Sequence, residues 1–206
     1  IIICYIVFIN DKIKKGYIMK ILSLILGTLT LGVSLIFAGN YTIEPTHTNV
    51  SFKVKHLMLS NVQGTFTQVS GDFSFDEKTN KIKRLRGFVN TSSVNTFNKK
   101  RDKHLVSKDF FNSNKNNQAI LTSIAHTGDM LITYLTINGI THITKFKVNM
   151  GGSLIDPSGN KRAGFSLSGE IDRTDFGLTW NKALEAGGLT VGEKVRLMIE
   201  IEGIQK

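Results

Sequence analysis

The sequence holds one cysteine and two prolines in 206 residues. A single Cys excludes an intramolecular disulfide framework and any zinc or iron–sulfur site built from several thiolates. With proline confined to Pro45 and Pro157, no strand interior need be broken. Acidic residues are outnumbered, 16 Asp+Glu against 26 Lys+Arg, for a formal charge of +10. That balance leaves nucleic acid, anionic lipid and small anions open as partners. The histidines, His47, His56, His104, His126 and His142, form no H-E-x-x-H pair, and no C-x-x-C-H run is present. No metal site or cofactor is therefore expected. No segment repeats at a fixed period, and no composition bias points to disorder.

The averages mix two unlike segments. Residues 1–38 contain 25 apolar residues and the only cysteine, Cys4. Ile21 to Ala38 is an uncharged run of eighteen, preceded by Lys12, Lys14, Lys15 and Lys20. A basic flank, an apolar stretch and a small terminal residue describe a secretory signal peptide at 19–38, cleaved after Ala38. An uncleaved anchor is the alternative, but Gly27, Thr28, Thr30, Gly32 and Ser34 dilute the run. Residues 1–18 read as an extension upstream of Met19, outside the mature protein. The expected mature domain is 39–206, periplasmic by virtue of export. The head takes four of the basic residues and one acid with it, which leaves the domain at +7.

Alternation dominates this domain, and it is the signature of half-buried strands. Eight runs show it: Val50–Val54, Val69–Phe75, Leu85–Thr91, Ile120–Ile124, Leu131–Ile137, Phe146–Met150, Ala163–Ile171 and Val195–Ile201. In the fourth run the apolar face is read as Ile120, Thr122 and Ile124. Asn138-Gly139 predicts a two-residue type I′ hairpin, since both positions need positive φ. Asp156-Pro157-Ser158-Gly159 predicts a type I turn. Asn98 to Asn112 does not alternate and predicts a short helix capped by Asn98. Thr174 to Gly188 reads as a long loop carrying Phe176 and Trp180. Eight short antiparallel strands imply an all-β domain, either a barrel or a two-sheet sandwich.

Six short motifs in order are more specific. They are Tyr41 to His47 with Val50 to His56, Gln63 to Phe66, Arg101 to Phe111, Leu135 to Thr141, Ile171 to Gly177, and Val191 to Val195. Together they cover residues 41–203, and the chain resembles the YceI-like family. The match is incomplete at Asn116 to Ala119, where the family often has Tyr-Pro, and at His142-Ile143, where it commonly has Pro. The resemblance implies an extended, eight-stranded, lipocalin-like antiparallel barrel around an apolar pore, in secreted or periplasmic proteins that bind polyisoprenoids and related chains. The expected partner is thus an isoprenoid or fatty-chain lipid.

A pore of that kind needs apolar walls. The candidates are Val50, Phe52, Val54, Phe66, Phe73, Phe75, Leu85, Val89, Ile120, Phe165, Leu167, Leu197 and Ile199. Alternation alone does not say which face points inward, because a one-residue slip exchanges them. Arg101, His104 and Trp180 are candidates for a mouth that meets the lipid head group. Arg101 could equally fasten its own segment, and Trp180 could plug the barrel base. Nucleic acid is not expected, since the charges alternate along strands as solvated faces do. A weak membrane-surface association and a homodimer are further expectations. An enzyme is not expected. Two alternatives stay beside the carrier: an enzyme acting on the lipid through His104 or the Asp172/Asp175 pair, and a packed stress-response protein without a ligand.

Overall fold

The computed structural model describes residues 38–183 and 189–206. The expected extension and all but the last residue of the expected signal segment lie outside the described residues, as do Gly187 and Gly188. Among the described residues no helix is long and apolar enough to cross a membrane.

Eleven strands form one antiparallel sheet. They are β1 (Gly39–Ile43), β2 (Asn49–His56), β3 (Ser60–Phe66), β4 (Val69–Asp76), β5 (Lys81–Asn90), β6 (Val94–Asn95), β7 (Gln118–Thr127), β8 (Met130–Ile137), β9 (Ile140–Ile155), β10 (Lys161–Asp172) and β11 (Val191–Gln205). The order β1-β4-β5-β7-β8-β9-β10-β11 closes on itself because β1 also pairs with β11, with Tyr41 opposite Gln205. Closure removes the free edges that an open sheet would present. The fold is therefore the expected eight-stranded barrel, and not a sandwich.

Each of the eight alternating runs falls in a strand, yet they are not the eight ring members. The run Val50–Val54 lies in β2, which sits beside β11 where β1 leaves off: β1 opposes residues 203–205 and β2 opposes residues 191–200. A single turn of 3-10 helix, Pro45–His47, joins the two. β3 then pairs with β2 and β6 with β3, so this flap lengthens the wall at one end of the ring. β3 escapes the alternation test because it carries Gly64 at an inward position. A Cβ there would lie 2.4 Å from Phe52 Cζ, so any larger residue displaces the Phe52 ring from its place.

Local signals behave as the chemistry requires. Asn138 and Gly139 have φ of 52° and 78°, as a type I′ turn demands. Asp156 Oδ1 accepts from the amides of Ser158 and Asn160, both at 2.9 Å. The one α-helix among the described residues, α1 (Lys99–Leu105), is capped by Asn98, whose side chain accepts from the Arg101 amide at 3.0 Å. In β7 the expected face is reversed. Leu121 is buried opposite Leu135, whereas Ile124 is 45% exposed. A bulge between Ser123 and Ala125 shifts the register, and no period-2 reading can cross it.

Candidate functional site

The barrel interior divides into two halves. At one end Tyr41 stacks on Phe73, with ring centres 5.0 Å apart and planes 8° from parallel. Phe165 meets Phe73 edge-on at 5.1 Å. Phe75, Phe146 and Leu131 fill the remaining space and are fully or almost fully buried. These aromatics occupy alternate inward positions of β1, β4, β9 and β10 and close that end as a solid plug. The Tyr41 hydroxyl donates to Glu77 at 3.3 Å, and burial together with that carboxylate pushes its pKa up to about 12.

The other half is hollow. Its cavity has room for the centres of water-sized spheres over about 160 Å³. The walls come from β2, β3, β5, β7, β8, β10 and β11, with Ile43 at the end of β1, Val69 at the start of β4, Leu105 of α1 and Phe110 and Phe111 just beyond it. Among the described residues, Thr48 and Arg173 are the only polar side chains on this wall. A wider chamber of about 400 Å³ adjoins it at the mouth. Phe52, Val54, Leu105, Phe110 and Val191 border both, so the two volumes are neighbours along one axis.

Ten of the thirteen wall candidates border the inner cavity: Val50, Phe52, Val54, Phe66, Leu85, Val89, Ile120, Leu167, Leu197 and Ile199. Phe73, Phe75 and Phe165 do not; they belong to the plug, where each ring is covered by other side chains. Ile120 reaches the border from the opposite face of β7 to Leu121, since it pairs with Thr136 while Leu121 pairs with Leu135. Sequence reasoning passed over Ile43, Leu121, Leu135, Ile171 and Leu178, which also line the cavity. Leu135 and Ile171 stood in alternating runs and could have been found there. Leu178 lies in a loop and carries no periodic signal.

Arg173 was not anticipated at all. It is 4% exposed and lines the cavity, yet among the described residues it forms no ion pair with a carboxylate. Its guanidinium instead donates to backbone carbonyls: Leu178 O, Gly192 O at 2.9 Å and Val191 O at 3.2 Å. Burial lowers its pKa, though Glu193 and Asp172 oppose the shift. The side chain ties the loop after β10 to the start of β11.

The mouth candidates converge on the outer chamber, since Arg101, His104 and Trp180 all border it. Arg101 is largely committed to structure: Nε donates to Thr96 Oγ1 at 2.8 Å and Nη2 to Thr96 O at 2.9 Å. Asp102 completes the clasp by accepting from the Thr96 amide at 2.9 Å. His104 Nε2 lies 2.8 Å from Asp109 Oδ2, and its ring meets Phe110 and Trp180 edge-on at 5.1 and 4.8 Å. Trp180 therefore stands at the mouth, and the base is filled by Tyr41 and Phe73 instead. Asp172 Oδ1 accepts from the Thr174 amide and hydroxyl, at 2.9 and 2.6 Å, and so anchors the loop. The Ser107 hydroxyl donates to the His104 carbonyl at 2.8 Å, which leaves it turned away from the imidazole.

One cluster has metal-ligand character. Glu44, His47 and Glu202 bring their ligand atoms together on the outside of the barrel. Arg162 already supplies a cation there, donating to both Glu44 and Glu202. The arrangement is an ion-pair network that fastens β1 and β11 to β10.

The geometry has counterparts. The model of the YceI-like domain matches residues 41–203. Protein YceI of Shigella flexneri is 37% identical over 193 residues, which covers 91% of this chain and 98% of that protein. The crystal structure of the Campylobacter jejuni YceI protein superposes with a TM-score of 0.64 at 31% identity, over 74% of this chain and 90% of that one. A polyisoprenoid-binding domain from Saccharophagus degradans shares the fold at 15% identity, with a TM-score of 0.58 over 81% and 98% of the two chains. Because the match runs from β1 into β11 and takes in every cavity-lining element, the chain belongs to the YceI-like family.

Proposed function

We propose that the protein is an exported carrier that holds one long apolar chain, an isoprenoid or a fatty chain, in the hollow half of the barrel. The observation that carries this reading is the wall itself. Apart from Thr48 and Arg173, the described side chains that border the inner cavity offer a ligand no hydrogen bond. A polar ligand would lose its water there without compensation. An alkyl or prenyl chain gains about 0.8 kcal/mol per methylene buried. The plug of Tyr41, Phe73 and Phe165 sets the depth, and the chamber at Arg101, His104 and Trp180 receives the polar end. The domain of Saccharophagus degradans, called polyisoprenoid-binding, supports the same choice of chain. Export to the periplasm rests on the uncharged run Ile21 to Ala38 behind its lysines.

Carriage without chemistry fits the arrangement of polar groups. His104 is held by Asp109, and the neighbouring Ser107 hydroxyl points to a backbone carbonyl. Native mass spectrometry of gently purified protein tests the proposal. A co-purifying lipid of one chain is expected, and Leu197→Trp, which fills the channel, should release it while the barrel stays folded. A protein that remains empty as purified and when offered prenyl and fatty chains would sink the reading.

A further inference from the structure

The open end of the barrel presents to solvent what soluble proteins usually cover. In the turn between β2 and β3, Met58 and Leu59 are 60% and 83% exposed; Phe97, one residue before the cap of α1, is 86% exposed. The backbone at these points is left-handed, with φ of 52° at Leu57, 59° at Met58 and 61° at Phe97. Glycine or asparagine ordinarily fills such positions, because a Cβ is crowded there. Here bulky apolar side chains are held outward against both that crowding and water. Strain of this sort points to a function at the place where it is kept.

Both apolar tips flank one opening. Lys55 and His56, on the approach to the first tip, border the outer chamber; so do Asn98 and Lys100, just after the second. Lys55, Lys99, Lys100 and Lys103 are exposed at the same rim, and among the described residues none forms an ion pair. The nearby acids are engaged elsewhere, Asp102 with Thr96 and Asp109 with His104. The closed end differs in its charge. It also exposes apolar side chains, Leu154 and Ile155, but acids stand among its cations: Lys83 pairs with Asp76 and Lys161 with Glu77, while Lys78 and Lys81 form no ion pair among the described residues.

We propose that this rim docks on the surface of an anionic bilayer, with Met58, Leu59 and Phe97 entering the interfacial layer and the four lysines resting on acidic headgroups. The charge complements the surface, and the apolar tips supply the insertion that charge alone lacks. Docked in this way, the mouth of the cavity faces the acyl region, and a chain passes between membrane and barrel without crossing water. The inference rests on the carrier reading for its purpose, though not for its test.

Flotation with phosphatidylcholine vesicles, with and without phosphatidylglycerol, reads the docking directly. Binding is expected to be at least about tenfold stronger on the anionic vesicles and to fall as salt is raised. Lys99→Glu/Lys100→Glu/Lys103→Glu should abolish that preference. Met58→Ser/Leu59→Ser/Phe97→Ser should weaken binding about tenfold at every salt concentration. Leu154→Ser/Ile155→Ser, at the other end, should bind as the parent does. Phe97→Trp gives a reading that needs no loss of apolar surface: relative to the parent, its emission should shift to the blue on anionic vesicles. Equal binding to both vesicles, unchanged binding by both rim variants, an unmoved Phe97→Trp emission or an equal loss in the closed-end variant would each overturn the proposal. Mass spectrometry on the same samples separates the two readings. An empty barrel that still floats defeats the carrier alone, whereas a loaded barrel that ignores vesicles defeats the docking alone.

Discussion

At the closed half of the barrel Tyr41 and Phe73 lie ring on ring at 5.0 Å, and Phe165 caps them. At the open half Phe52 and Phe66 stand 5.9 Å apart at 46°, and a channel runs beside them. The residue types are the same and the strand alternation is the same. What differs is how the rings are met. In the plug Tyr41 stacks on Phe73, its partner on the adjacent strand, and Phe165 of β10 meets Phe73 edge-on. In the open half β2 and β3 extend beyond β1, which places the rings on a longer wall and leaves the axis unfilled. Packing thus supplies stability at one end, and its absence supplies a binding site at the other.

The widest separation between the halves should come from removing a ring. Phe73→Ala leaves a void at a site with 0% exposure and is expected to cost about 3–5 kcal/mol in urea unfolding. Leu197→Ala, in a wall that already borders empty space, forfeits fewer contacts and should cost only about 1–2 kcal/mol. The first variant should keep its affinity for a fluorescent fatty chain per folded molecule; the second should change it. Similar costs for the two would mean that the channel is as tightly packed as the plug.

Adding an atom gives the next largest contrast. A Cβ on Gly203 would lie 2.6 Å from Phe73 Cε1 and 2.9 Å from Thr42 O, with rings beyond and nowhere to move. Gly203→Ala should therefore destabilise by about 1–3 kcal/mol. A Cβ on Gly64 would strike the Phe52 ring at its far end, and that ring can swing into the channel. Gly64→Ala should cost less in thermal unfolding than Gly203→Ala, and should lower chain uptake more. Reversal of either order would break the contrast between a filled and an empty half.

The contrast was only partly legible in the sequence. Periodicity located eight strands, because alternation is a property of each strand alone. It could not rank Phe73 against Phe52, since both sit in alternating runs and their fates depend on what faces them across the barrel. The wall reading therefore placed Phe73, Phe75 and Phe165 in the pore, where the structure has a plug. β1 is five residues long, and β3 holds a glycine required by a ring from another strand, so neither carried a periodic signal. In β7 it is Leu121, opposite Leu135, that is buried and not Ile124; the face of so short a run is set by its pairing with β8 and not by its own pattern. At the mouth, the motif from Arg101 to Phe111 announced that residues converge. Only hydrogen bonds separate the roles: Arg101 clasps Thr96, while His104 and Trp180 face the chamber.

The smallest expected effect concerns charge, and it too divides the halves. Among the carboxylates held below their ordinary pKa near the closed end are Glu44, by Arg162 and then His47, Glu77, by Lys161, and Asp156, at about 2, by Arg162 and the Asn160 amide. A carboxylate stabilised when ionised favours folding above its unfolded pKa, and that contribution fades as pH falls through the folded value. The thermal midpoint should accordingly decline from about pH 4.5, the ordinary Glu value, down towards pH 2. All three groups are solvent-accessible, so screening keeps the slope shallow. Arg162→Met removes the shared partner of Glu44 and Asp156 and should flatten the decline. At the open end Asp172 is held down by the Thr174 hydroxyl and amide, so Asp172→Asn is the counterpart variant. It should leave most of the acid dependence in place, and instead loosen the loop that Arg173 ties across the mouth. Should Asp172→Asn flatten the curve as much as Arg162→Met, the acid-sensitive linkage would have to be moved from the plugged end to the mouth.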